Sequence, residues 1–388
     1  MNRRRLMKAE DAPMPLLPGG LEDSGRPTLS PDICGGISPL ADADPDPVVD
    51  SIVADPSREI RVGVIRCDTH AFWYAHFFDV PDPMAMRIGH RCNHYYFFHQ
   101  DNPEVQRFEA VPGMKITRVY DEGDSNAAEQ LRLALGGRPK VCRSLEEVSD
   151  DVDLVYLANC NSDGEDHLRY ATPVLRKGVP LFLDMPFAHT LAEAREILAL
   201  ADRHDSVVMC GFMLRESPHF KRFRARFPDI APVRRLVVPN HGPSLENLTS
   251  ALTITQVLLG DGCVWVQSSG DTPLNLLRLH YDGPNGSTEA IVANASHPFP
   301  DRHMTSSNYH HCGWTASAYG DGGAVHSPRV DDYMFMYGGI RLAKMAKYMA
   351  LTRKTPIARK SMLELMRMVE AARLSHGTGQ PVNLADVD

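Results

Sequence analysis

Apolar and polar positions along this 388-residue chain fall into three regimes. Residues 1–58 are rich in Pro, Gly and Asp and show no hydrophobic period, so they read as a disordered or extended N-terminal tail. An arm that docks on a partner subunit is the alternative. From Glu59 onward, short apolar runs alternate with amphipathic stretches. The pattern predicts strands at 60–65, 115–120, 153–158, 179–183 and 207–210, with helices at 71–78, 125–135, 163–177 and 190–203. Ser144 with Glu147, and Thr190 with Glu193, have the spacing of capping boxes, in which each side chain satisfies an orphan backbone amide. Residues 80–113 form an insertion rich in Pro, His and aromatics.

From about residue 216 the pattern changes. A basic helix at 217–227 precedes β-like segments near 233–239, 263–269, 274–281, 288–295 and 314–319. Helical stretches lie near 246–259, 333–352 and 361–375. Alternating strands and helices in the first half imply crossover connections and a parallel, doubly wound sheet. The second half implies an α+β unit with a mainly antiparallel open sheet. Ligands of doubly wound sheets sit at the carboxyl ends of the strands. That rule gathers the loops at 66–70, 121–124, 159–167 and 184–186 around one crevice.

Composition narrows the function classes. Net charge is −8, with 43% hydrophobic and 23% charged residues, the range of a soluble globular protein. No basic stripe suggests nucleic acid, and no apolar run approaches a membrane span. The eight cysteines are scattered without a CxxC pair, which fits reduced thiols and a cytoplasmic setting. The basic start lacks the apolar stretch of a secretory signal.

Several blocks carry a family resemblance when taken in order. They are Val62 to Ile65, Val119 to Asp121, Val152 to Ala158 followed by His167, Gly178 to Pro186, Thr190 to Leu200, Gly211 to Arg215, Glu370 to Ser375, and Pro381 to Leu384. In this arrangement the chain resembles the glucose-fructose oxidoreductase / inositol dehydrogenase (Gfo/Idh/MocA) family over about residues 60 to 386. The resemblance implies a Rossmann-type dinucleotide-binding domain at 59–215 and an α+β substrate and dimerisation domain at 216–388. It also implies an NAD(P)-dependent oxidoreductase of sugars, polyols or related compounds, and a homo-oligomer formed through the C-terminal sheet. By the family's pattern, Arg66, Asp68, Thr69, His70, Asp121, Asn159, Met185 and Pro186 stand at cofactor-binding positions. Asp121 would meet the ribose, which favours NAD over NADP.

The chain departs from that pattern in three places. The phosphate loop, Gly-x-Gly-x-x-Gly/Ala in the family, here runs from Arg66 to Ala71, and only Ala71 fits. Asp68 brings a carboxylate toward a pyrophosphate, a repulsion of roughly 1 kcal/mol in water and about 4 at an effective dielectric of 20. An N-cap role for Asp68 or Thr69 is the alternative. Met185 replaces the family's active-site lysine and cannot donate a proton, while Asp184 replaces its glutamate. The His-x-x-Asp pair of the second domain aligns with Ser250 and Thr253, and His241 is the nearest replacement histidine.

Candidate acid/base and substrate-holding residues are therefore His167, Asp184, Arg215 and His241, with Arg215 gripping substrate oxygens. Two histidine clusters raise a metal site: His90, Cys92, His94 and His99, and His297, His303, His310, His311 and Cys312. Structural or surface histidines are the alternative there, and no metal ligand is assigned. Three functions stay open: an NAD-linked oxidoreductase with a rebuilt site, a redox-neutral and metal-dependent enzyme on the same fold, and a catalytically silent relative that binds a ligand or a subunit.

Overall fold

A computed structural model describes residues 46–67, 69–87, 110–122, 126–158, 163–240, 244–283, 286–294, 313–330 and 332–387. Six strands form the first sheet: β1 (Ile60–Ile65), β2 (Met114–Tyr120), β3 (Lys140–Val141), β4 (Leu154–Leu157), β5 (Leu181–Leu183) and β6 (Val208–Cys210). Their order is β3-β2-β1-β4-β5-β6 and every pairing is parallel. The reversal between β1 and β4 marks the topological switch point where ligands bind. β4 and β5 are buried along their whole length, as strands covered on both faces must be.

The helices of this half are α2 (Thr69–Phe78), the short α3 (Pro83–Arg87), α4 (Ala127–Ala134), α5 (His167–Arg176) and α6 (Leu191–Arg203). Before them, α1 (Pro47–Val53) is capped by the Asp46 side chain. This corrects the tail reading: residues 47–53 are ordered helix, because Asp46 and Pro47 supply a start signal. Thr190 and Glu193 form the expected capping box on α6. Ser144 and Glu147 do not. A 3-10 turn at Glu146–Ser149 takes their place, and Glu147 instead accepts the backbone N–H of Arg143.

The second sheet has the order β12-β11-β7-β10-β9-β8-β13. Its strands are β7 (Val233–Asn240), β8 (Cys263–Ser269), β9 (Leu276–Tyr281), β10 (Thr288–Asn294), β11 (Ser317–Gly320), β12 (Gly323–His326) and β13 (Val382–Asn383). It is antiparallel apart from the parallel pair of β7 with β10. The helices α7 (Pro218–Arg224), α8 (Leu245–Leu259), α9 (Asp332–Thr352) and α10 (Arg359–Thr378) complete the chain.

Two packings position the site. The long helix α9 comes late in the chain yet packs on α1, α2 and the 3-10 turn at Met213–Glu216. Every residue of α2 after Thr69 is buried, which explains a helix apolar on all sides. Helix α8 lies along β7 and carries Thr249, Ser250 and Thr253 inward.

Candidate functional site

The carboxyl ends of β1, β2, β4, β5 and β6 converge as the topology requires. The loop after β1 begins at Arg66, whose φ of +63° is the left-handed conformation. Glycine adopts it freely, and a side chain there costs roughly 1–2 kcal/mol. Arg66 thus takes a glycine-like backbone while carrying a guanidinium. That guanidinium stands 4.0 Å from Asp121 and 4.0 Å from Asp166, and 5.8 Å from the centre of the Tyr170 ring. Asp121, at the end of β2, accepts the backbone N–H of Cys67 at 2.7 Å.

Next to Asp121, Glu122 is gripped at both oxygens by Arg169, at 2.6 and 2.8 Å. It also accepts the hydroxyls of Tyr170 at 3.1 Å and Tyr120 at 3.2 Å. The Arg169 pairing holds the Glu122 carboxyl at about 2, against an ordinary 4.5. Nothing in the linear sequence marks this cluster, because Glu122 and Arg169 meet only across the strand ends.

At the end of β5, Asp184 is fully buried. One carboxylate oxygen accepts the Met185 backbone N–H at 2.9 Å. The other accepts the Tyr156 hydroxyl at 3.2 Å and lies against Nδ1 of His70 in a short contact. The His70 ring is stacked between Trp73 and Phe212, at centroid distances of 4.7 and 5.3 Å. Asp184 and His70 were both singled out from sequence, but as separate functions. The fold joins them into one buried unit with Tyr156.

Met185 turns toward the second domain. Its sulfur accepts the hydroxyls of Ser250 at 3.1 Å and Thr249 at 3.5 Å. Of the two α8 positions read as departures, Ser250 therefore meets Met185. A cavity of only about 20 Å³ remains beside them, lined by Pro186, Phe212, Arg215 and Thr253 among others.

His167, at the start of α5, is fully buried. Its Nδ1 lies 3.2 Å from the Phe187 carbonyl oxygen. A carbonyl only accepts, so Nδ1 carries the proton, and burial pulls the ring below its ordinary 6.5 toward the neutral form. This geometry makes His167 a prop for the turn at Pro186 and Phe187. Arg215 donates to Gln256 Oε1 at 2.9 Å and reaches both the small cavity and a larger groove behind it. Asp68, Asn159 and His241 lie outside the described residues, as do both histidine clusters. Among the described residues, no group of three or more His, Cys, Asp and Glu side chains is placed to hold a metal.

Comparison with known proteins agrees with this architecture. The Gfo/Idh/MocA model, described as an oxidoreductase family with an NAD-binding Rossmann fold, matches residues 96–212. Over that stretch the chain is similar to the Gfo/Idh/MocA family. A curated relative, the oxidoreductase YceM of Salmonella typhimurium, is 27% identical over 104 residues. That match spans 27% of this chain and 33% of the relative, about a third of its length. Among solved structures, GenD2 from gentamicin A biosynthesis, in complex with NAD, superposes with a TM-score of 0.60 at 14% identity, covering 84% of this chain and 96% of that one. An Agrobacterium radiobacter oxidoreductase, in complex with NAD+, L-tartaric acid and magnesium, gives 0.59 at 14%, covering 84% and 99%. A myo-inositol dehydrogenase of Corynebacterium glutamicum gives 0.58 at 15%, covering 84% and 99%. Identities this low speak for the fold.

The residues present fit the nucleotide half of a dinucleotide. In a doubly wound sheet of this order, Asp121 at the end of β2 would meet a ribose, and the N-terminus of α2 with Arg66 would face a pyrophosphate.

Proposed function

We propose that this chain is an NAD-linked oxidoreductase acting on a sugar, polyol or related small molecule through a rebuilt active site. The observation that carries this reading is the buried Asp184–His70–Tyr156 unit at the end of the strand that brings the family's lysine. It keeps an acid/base group beside the crevice although the lysine is gone. Asp184 is the fixed acceptor: it receives the Tyr156 hydroxyl and orients the His70 ring, so a proton is held between Asp184 Oδ2 and His70 Nδ1. Bound NAD supplies hydride acceptance and return. Asp121, with the Cys67 amide and Arg66 behind it, would hold the adenosine side and discriminate against a 2′-phosphate. Trp73 and Phe212 exclude water from the His70 ring, and Met185 packs as the apolar wall of the substrate side. Assembly through the open face of the second sheet and a cytoplasmic setting accompany this reading.

A second reading draws on Met185. Its seat on Thr249 and Ser250 removes the proton donor and fills its space, as in a relative that binds a ligand without turning it over. Calorimetric titration with NAD+ and NADH, with NADP+ as control, separates the cases. The first reading expects micromolar binding of NAD(H), weak NADP+ binding, and dehydrogenase activity in a sugar and polyol screen that His70→Gln abolishes. Binding without turnover supports the second. No binding up to millimolar NAD(H) overturns the oxidoreductase reading.

A further inference from the structure

Behind the redox crevice lies a groove of about 640 Å³ between α7 and the C-terminal half of α8. Ser250 touches Met185, whereas the groove begins at Gln256 on the same helix. Six residues at 1.5 Å per residue put it about 9 Å further along. Its walls carry Arg215, Lys221, Arg222 and Arg224 against the acids Glu216 and Asp261.

Both acids are already engaged. Glu216 pairs with Lys221 at 2.8 Å. Asp261 accepts the Ser361 hydroxyl at 2.7 Å and lies 3.5 Å from Lys360. Arg224 donates to the Val257 carbonyl, a neutral acceptor, at 3.1 Å.

Arg215 is the telling residue. It is half-buried, and desolvation pulls its guanidinium below the usual arginine range. Among the described residues it forms no ion pair, and its acceptor is the neutral Gln256 side chain. A partly desolvated guanidinium is ordinarily paired with an anion, because one amide oxygen does not replace the water the charge loses. Here the planar fork is left at the edge of a cavity wide enough for a small molecule, beside a second arginine that faces only a carbonyl.

We propose that this groove is a second ligand site, taking a small molecule that carries a carboxylate or phosphate group, with Arg215 as the anchoring guanidinium. A two-oxygen anion matches the guanidinium fork with two parallel hydrogen bonds, which a neutral sugar hydroxyl cannot do. The apolar floor of Pro218, Ala225 and Val257 suits the carbon part of such a ligand. The proposal uses neither Asp184 nor Asp121, and it takes Arg215, which also borders the small cavity beside Met185, as a groove residue.

The test is isothermal calorimetry on the full chain with inorganic phosphate and with malonate, each against sodium chloride at equal ionic strength. At least one anion is expected to bind with Kd below about 1 mM. Phosphate alone identifies a phosphorylated ligand and malonate alone a carboxylated one. Arg215→Gln is expected to weaken binding about tenfold or more, and Arg224→Gln less. Gln256→Glu provides an internal carboxylate for Arg215 without emptying the core, so it is expected to abolish binding in a folded protein. Failure of both anions to bind, or full affinity in Gln256→Glu, overturns the proposal.

Discussion

Asp184 shows how one residue changes meaning with its surroundings. Read alone it is the shortened form of the family's glutamate. In the fold it is a fully buried carboxylate with a backbone amide, a phenol and an imidazole around it. Removing His70 leaves that carboxylate without its main partner. His70→Leu is therefore expected to cost about 3–5 kcal/mol in urea unfolding, with much of the loss recovered in the double variant His70→Leu/Asp184→Leu. Additive losses would show that the pair is not coupled. Two other residues set the acid behaviour. His167 is neutral when folded and below its ordinary 6.5, so the unfolded chain binds the extra proton first and stability falls as pH drops below about 6.5. Glu122 sits at about 2 against 4.5, so its contribution is full above pH 4.5 and disappears as pH falls toward about 2. The full shift would be worth about 3 kcal/mol. Because Arg169 is half exposed, screening reduces this to about 1 kcal/mol. Unfolding midpoints of wild type, His167→Leu and Glu122→Gln from pH 3 to 8 check both windows. The Glu122→Gln difference should shrink below pH 4.5, and the His167→Leu difference should change between pH 7 and 5.

Individual helices depend on local chemistry and on close approach. The α6 cap is complete: Thr190 accepts the Glu193 amide at 3.2 Å, and Glu193 returns to the Thr190 amide at 3.0 Å. Thr190→Ala is expected to cost about 1 kcal/mol, read as a shifted denaturant midpoint with unchanged slope. Helix α9 meets the Met213–Glu216 turn through Gly338, where an added Cβ would overlap the Met213 carbonyl oxygen. Gly338→Ala must push the helix away from the turn that carries Arg215. Its expected cost is about 2 kcal/mol or more despite alanine's better helix propensity. A neutral or stabilising effect would mean that the α9 packing described above is wrong.

Across the whole molecule, α1 ties the first described residues to the late helix α9. Asp50 bridges Arg341 at 3.0 Å and Lys344 at 3.1 Å on α9. Lys347, fully buried, donates to the carbonyls of Val53 and Asp55 at 3.0 Å and also meets that of Pro112. Three carbonyls around one ammonium replace the water it loses, which lets a lysine sit in the core. Lys347→Met removes all three bonds at once. Hydrogen exchange at residues 47–53 should then quicken markedly while the amides of β4 and β5 stay protected. Unchanged exchange at 47–53 would show that α1 is held by its apolar face alone, through Val49 and Val53.

What was legible in the sequence and what was not divide along a physical line. Hydrophobic period, the Thr190 capping box and the ordered family blocks are local, and they were enough for a parallel first sheet and a mainly antiparallel second one. The two-residue β3 and the hairpin strand β12 were too short to show a period, and both escaped that reading. The resemblance implied that Met185 stands at the lysine position and Ser250 and Thr253 at the His-x-x-Asp positions. That Met185 touches Ser250 was not legible there, because 65 positions separate them. His70 and Asp184 are 114 positions apart. Their pairing, the grip of Arg169 on Glu122 and the bond of the Arg215 guanidinium to Gln256, with no ion pair among the described residues, arise only when strand ends and helices converge. A chain alone determines which side chains can be charged, apolar or hydrogen-bonding. Tertiary structure decided which of them lose water together, and in a low-dielectric interior that shared desolvation sets their chemistry.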